Sequence, residues 1–193
     1  MPSRLAALTR DDLSEPQKEV FDDITGGVRG SIQGPFNAWL RSPALANTAQ
    51  KLGEFCRFNN SLGPRLSEIA ILITARKYKV QVEWYLHAQI AMEAGHAQAT
   101  IDALLAGERP DFAAVAGAEA DRENMVYDYA SELVANGRVS DEMHTRAVAM
   151  FGEEGVVDLV GVIGYYHLVS LTLNAFNVPL PDDIEPPFPD QPQ

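Results

Sequence analysis

Residues 67–95 read SEIAILITARKYKVQVEWYLHAQIAMEAG, and their apolar residues recur at helical spacing on either side of a short polar interruption. Ile69, Leu72, Ile73 and Arg76 follow the three-to-four spacing of one helix face. The pattern resumes in VQVEWYLHAQIAMEA and runs to Gly95, which is placed to close the helix in a left-handed turn. Spacing leaves open whether residues 78–81 break the helix or continue it. Glu83 and His87 lie four apart, so on a helix they project from one face within hydrogen-bonding reach. Glu68 stands fifteen residues before Glu83 among Ile69, Ile71, Leu72 and Ile73, where a carboxylate is costly unless it is paired. Antiparallel or steep packing of the two segments would bring Glu68 to the Glu83 and His87 pair. Two carboxylates and an imidazole in a water-poor site suit general acid–base chemistry near neutral pH, with at least one acid raised in pKa. A Glu and a His at this spacing also occur as a plain surface pair worth roughly 0.2–0.5 kcal/mol. The spacing alone does not separate the two.

Helical patterns extend on both sides of this window. Residues 15–24 (EPQKEVFDDI) form an amphipathic segment ended by Gly26 and Gly27. The glycine-rich GGVRGSIQGPFNAWL reads as a loop leading into Phe36 and Trp39. Ser42 is placed to cap a helix that begins at Pro43 and runs to about Phe58, and Gly63 and Pro64 open the next. QATIDALLAG is a short helix and ERPDFAAVAG the loop after it. Residues 119–135 are amphipathic and stop at Asn136 and Gly137, after which Ser140 caps DEMHTRAVAMFG. VVDLVGVIGYYHLVSLTLNAF (156–176) is long enough to cross a bilayer, but Asp158, His167 and Asn174 interrupt it and no basic flank accompanies it. A helix apolar all round is also what a domain core or a subunit interface requires. Gly161, Gly164 and Ser170 would admit close neighbours.

From Pro179 onward six prolines fall among fifteen residues, an acidic extended tail expected to add nothing to the core. No alternating strand pattern appears, so the expected class is all-α: one domain over residues 1–180 and a tail over 181–193. Segments 67–84 and 157–174 also echo one another, with Glu68 over Asp158 and Trp84 over Asn174, which raises an internal repeat of helical pairs.

Composition narrows the partners. Twenty-seven acidic against 15 basic residues leave a net charge of −12, which disfavours nucleic acid and anionic membrane. The single cysteine, Cys56, excludes an internal disulfide and a CxxC pair, and reads as a small buried hydrophobe. No apolar signal-peptide stretch opens the chain, and a reducing cytoplasm is the expected setting. Of the other histidines, His96 follows the helix-ending Gly95 and is expected to be exposed. His144 has only Asp141 nearby. His167 interrupts an apolar helix and needs a partner or an interface. Zinc and di-iron ligand spacings, nucleophile elbows, phosphate loops and dinucleotide glycines are absent, so no metal is expected.

In LSEIAILITARKYKVQVEWYLHAQIAMEAG the core is E-x14-EW-x2-H, and this stretch resembles the carboxymuconolactone decarboxylase and alkylhydroperoxidase (AhpD-like) superfamily. The peroxidase branch carries a glutamate, eleven residues, Cys-x-His-Cys, three residues and a final histidine. The same register here reads Glu68, eleven residues, Val80-Gln81-Val82-Glu83, three residues and His87. Glutamate and distal histidine match; both cysteines are missing, and thiol peroxidase chemistry with them. The decarboxylase branch, which lacks the redox cysteines, is nearer. The resemblance implies a helical fold completed by self-association as trimers, hexamers or dimers. It further implies a cofactor-free lyase or isomerase acting on a small carboxylated lactone or carbonyl compound. His87 would donate a proton or hold the oxyanion, Glu83 would orient it, and Glu68 would relay or hold a proton. Phe36, Trp39 and Trp84 are the candidates for shaping the pocket, and Arg65 or Arg76 for balancing the substrate's negative charge. Two rival readings are a peroxide reductase relying on Cys56 alone or on an unanticipated cofactor, and a non-catalytic member that binds a small ligand or serves as an assembly subunit.

Overall fold

In the computed structural model, residues 2–112 and 119–191 are described, and among them every regular element is helical. A 3-10 turn (Arg10–Asp12) precedes α1 (Glu15–Gly26). The short α2 (Phe36–Trp39) leads to α3 (Pro43–Glu54), which runs straight into a π-helical turn (Phe55–Asn59). There follow α4 (Pro64–Lys77), α5 (Gln81–Glu93), α6 (Gln98–Ala106), α7 (Ala120–Asn136) and α8 (Asp141–Ala175). The segment ERPDFAAVAG lies partly outside the described residues.

Helix α4 is the axis of the molecule. Leu66, Ile69, Ala70, Ile71, Leu72 and Ala75 are buried on every side of it, because α5, α7 and α8 all pack against it. Its start is fixed by side chains. Asn60 Oδ1 accepts from the Leu62 and Gly63 N–H groups, while Asp158 of α8 accepts from the Ser61 N–H at 2.8 Å and its hydroxyl at 2.6 Å. A tight turn, not a continuous helix, joins α4 to α5. Lys79 sits at φ 48° and Val80 is extended, which folds α5 back onto α4.

Helix α8 is kinked at Gly152 (φ 72°, ψ 172°), a conformation that costs an L side chain dearly. Beyond the kink Leu159, Val162, Ile163, Tyr166, Val169 and Leu173 enter the core. This helix is long and apolar enough to span a membrane by length and composition, yet 61% of its most apolar stretch is buried inside the molecule. That burial makes it a core helix. A Cβ at Gly161 or Gly164 would meet nothing of this chain within 4 Å, and Val157, Val160, Leu168 and Leu171 are exposed on the same helix.

Several expectations need correction. Ser42 precedes Pro43 but its side chain makes no capping hydrogen bond, and the regular helix ends at Glu54 in the π turn. The echo between residues 67–84 and 157–174 is not a repeated helical pair: the first spans two helices and a turn, the second one helix. The tail does contribute to the core. Phe188 is buried at 8% exposure with its ring edge-on to Trp84, centroids 5.6 Å apart. Its backbone is held at both ends by Gln81, whose amide donates to the Phe188 carbonyl at 2.6 Å and accepts from its N–H at 3.0 Å. One aromatic anchor offsets the surrounding prolines, which cannot donate backbone hydrogen bonds.

Phe188 joins Leu72, Trp84, Ile101 and Leu104 in one cluster. Phe188→Ala should therefore lower unfolding stability by about 3 kcal/mol, a core-like loss, in urea titration. An unchanged midpoint would show the tail to be dispensable.

Candidate active site

A buried polar cluster lies where α4 and α5 face each other. Glu68, Glu83 and His87 are exposed by only 2%, 4% and 5%. His87 Nδ1 donates to Glu68 Oε2 at 2.7 Å, and His87 Nε2 stands 3.2 Å from Glu83 Oε1. The turn at residues 78–80 produces this arrangement by laying α5 against α4. The four-residue spacing then puts Glu83 on the far side of the ring from Glu68.

Burial by itself disfavours an imidazolium, but the charges of Glu68 and Glu83 and their hydrogen bonds outweigh it, raising the His87 pKa to about 9. Near pH 7 the ring is therefore doubly protonated and donates to a carboxylate on each side. Tyr166 meets the His87 ring edge-on, centroids 4.9 Å apart, and Tyr165 meets Tyr166 in the same way. Burial, then the nearby carboxylates, push the Tyr166 phenol well above its ordinary range. Burial also raises that of Tyr165, so both hydroxyls stay neutral.

A pocket of about 180 Å³ opens onto this cluster, lined among others by Glu83, His87, Tyr165, Tyr166, Arg29 and Arg57. Glu68 does not line it and holds the ring from behind. Of the aromatics considered for the pocket wall, Phe36 lines it. Trp39 and Trp84 do not. The Trp39 indole N–H donates to Thr172 Oγ1 at 3.0 Å inside the core, and Trp84 belongs to the cluster around Phe188. Their bulk is used for packing.

Arg65 and Arg76 also point elsewhere: Arg65 pairs with the fully buried Glu123 at 2.5 Å, and Arg76 donates to the carbonyls of Leu105 and Ala106. The cations of the pocket are Arg29, from the glycine-rich loop after α1, and Arg57, from the π turn. Neither carries a periodic signal in the sequence. The adjacent tyrosines of α8 were readable as hydroxyls placed in an otherwise apolar helix. A π turn beside a site is a recurrent association, since the extra residue re-aims neighbouring side chains.

The other singled-out residues lie away from the pocket lining. Cys56 is wholly buried, and burial followed by the Asp158 charge pushes its thiol up to about 11. His96 is buried, not exposed: the turn at Gly95 (φ 98°) folds it inward and its Nε2 donates to the Arg65 carbonyl at 2.8 Å. His167 pairs with the Tyr78 hydroxyl at 2.9 Å, linking α8 to the α4–α5 turn. Among the described residues no group of three or more His, Cys, Asp or Glu is placed to hold a metal ion.

No protein-family model matches this chain, and no curated protein does. Among solved structures it is similar to an uncharacterized peroxidase-related protein from Silicibacter sp. TM1040. The TM-score is 0.69 over 91% of this chain and 90% of that one, at 15% sequence identity. That likeness shows a shared helical fold.

A raised folded-state pKa makes His87 stabilising below its ordinary value of 6.5, and that contribution is lost as pH rises through about 9. Wild-type unfolding stability should fall by a few kcal/mol between pH 6.5 and 9.5. Glu68→Gln, which removes the nearest stabilising charge, should be less stable at pH 7 and show a shallower slope. Equal slopes in urea titrations of the two proteins would contradict the charged triad.

Proposed function

We propose that the pocket is the active site of a cofactor-free lyase or isomerase that moves a proton on a small carbonyl compound, a carboxylated lactone being the closest fit. The observation that carries this reading is the buried His87, fixed between Glu68 and Glu83 and presented with Glu83 at the wall of a small pocket. A cavity near 150 Å³ accepts benzene. About 180 Å³ therefore suits one five- or six-membered ring with a substituent.

In the decarboxylation written for such a substrate, the carbon–carboxylate bond breaks and carbon dioxide leaves. The bonding pair passes into the neighbouring carbonyl as an enolate. The neutral Tyr165 and Tyr166 hydroxyls are the available donors to that oxygen. The proton lying between His87 Nε2 and Glu83 then passes to carbon, and solvent restores it. Glu68 positions the ring throughout, and its shorter bond keeps the Nδ1 proton in place while the longer 3.2 Å link on the pocket side is the one exchanged.

The peroxidase-related name of the structural neighbour raises peroxide reduction as a second reading. It lacks a thiol at the pocket, because the chain's one cysteine is buried, keeps its proton and does not line the cavity.

Small carboxylated lactones and β-keto acids should be screened for carbon dioxide release and for deuterium uptake from solvent. Activity should stay level to about pH 8 and decline above about pH 9, following the His87 acid. His87→Asn should lower kcat by about 10²–10⁴-fold. A His87→Asn variant that turns over substrate at the wild-type rate would refute the assignment.

A further inference from the structure

The guanidinium of Arg29 is the least explained group in the pocket. Its Nε and Nη2 atoms are buried and have no hydrogen-bond partner. Four other arginines in the chain pair with carboxylates: Arg10 with Asp22, Arg65 with Glu123, Arg109 with Asp128 and Arg122 with Glu119. In a protein with 27 acidic residues against 15 basic ones, a carboxylate partner for Arg29 would be easy to supply. None is supplied among the described residues. What Arg29 has instead is aromatic surface, with its guanidinium carbon 5.1 Å from the Phe36 ring centroid and 5.9 Å from that of Phe58. Rings satisfy the faces of a guanidinium and supply no hydrogen bond to its N–H groups.

Gly53 shows that this placement is accommodated by the scaffold. It is buried within α3, where glycine is a poor helix former. A Cβ there would fall 2.5 Å from Arg29 Nη2 and 2.1 Å from the Tyr165 hydroxyl oxygen. The helix thus leaves open the space that Arg29 and Tyr165 occupy. Charge points the same way. Arg29 and Arg57 bring two guanidiniums to a pocket lined by one glutamate, Glu83, so an anionic ligand suits it.

We infer that the Arg29 guanidinium at the pocket wall is the binding site for the carboxylate of the pocket's ligand, making Arg29 the residue that selects a small carboxylic acid over its neutral analogue. A guanidinium donates through paired, parallel N–H groups, a geometry that matches the two oxygens of a carboxylate. The anion site rests on the proton-transfer reading only for the notion that the bound acid is also a substrate.

The probes are 5-oxotetrahydrofuran-2-carboxylate, a small carboxylated lactone, and its methyl ester, titrated calorimetrically at pH 7. The wild type should bind the acid at least tenfold tighter than the ester. Arg29→Met, which keeps an apolar stem over Phe36, should bind the two equally. Arg29→Lys should recover only part of the preference, since an ammonium is a point charge. Gly53→Ala, whose methyl intrudes on Nη2, should narrow it without touching the guanidinium's chemistry. His87→Asn should keep the acid-over-ester preference. Retained preference in Arg29→Met, a wild type that does not distinguish acid from ester, or no binding of the acid would each overturn the inference. Two results separate it from the functional reading: loss of preference in Arg29→Met, with none of the screened lactones and β-keto acids turned over by the wild type, supports Arg29 and counts against the lyase. Unchanged preference in Arg29→Met with an inactive His87→Asn does the reverse.

Discussion

One buried imidazolium held between two buried carboxylates sets the terms for the rest of this protein. Three ionisable groups at 5% exposure or less are costly to take out of water, and the cost is offset only while all three stay together. Removing one partner of such a set typically costs about 3–5 kcal/mol, because the remaining charge is left uncompensated. The relative placement of α4 and α5 is therefore dictated by more than apolar packing. It has to keep Glu68 within 2.7 Å of a ring carried by the next helix. The left-handed Lys79, the pairing of Tyr78 with His167 and the burial of α4 on all sides serve that alignment.

The same cluster is asymmetric with respect to solvent. Glu68 lies behind the ring, away from the pocket, whereas Glu83 and Nε2 of His87 face it. Protons can be exchanged on one side only. Around that side the chain gathers hydroxyls from α8 and guanidiniums from a glycine-rich loop and a π turn, three elements far apart in sequence. The site therefore depends on the tertiary fold being complete, and the Ser61–Asp158 bonds that tie α8 to the start of α4 belong to its support.

What could be read from the sequence follows from how local each signal is. Glu83 and His87 are neighbours by helix geometry, and Glu68 announced itself as a carboxylate that needed a partner among isoleucines. Helix starts at Pro43, Pro64 and Ser140, and stops at Gly107 and Gly137, rest on backbone chemistry confined to a few residues. Arg29 and Arg57 had no such signature, since an isolated basic residue reads as solvated surface until the fold shows what surrounds it. His96 was misplaced because its direction depends on one glycine dihedral. Phe188 was missed because a proline-rich composition hid a single anchor and its pair of hydrogen bonds with Gln81. Trp39 and Trp84 show the limit of bulk as a guide, as a large ring fills a core as readily as it walls a pocket.

The central claim is that His87 is a cation at neutral pH, and nitrogen NMR of the ring tests it most directly. In protein labelled at the histidine nitrogens, both His87 resonances at pH 7.5 should carry the shifts of a protonated ring and titrate only near pH 9. A neutral His87 at pH 7.5, with one bare nitrogen and a midpoint near 6.5, would contradict the account.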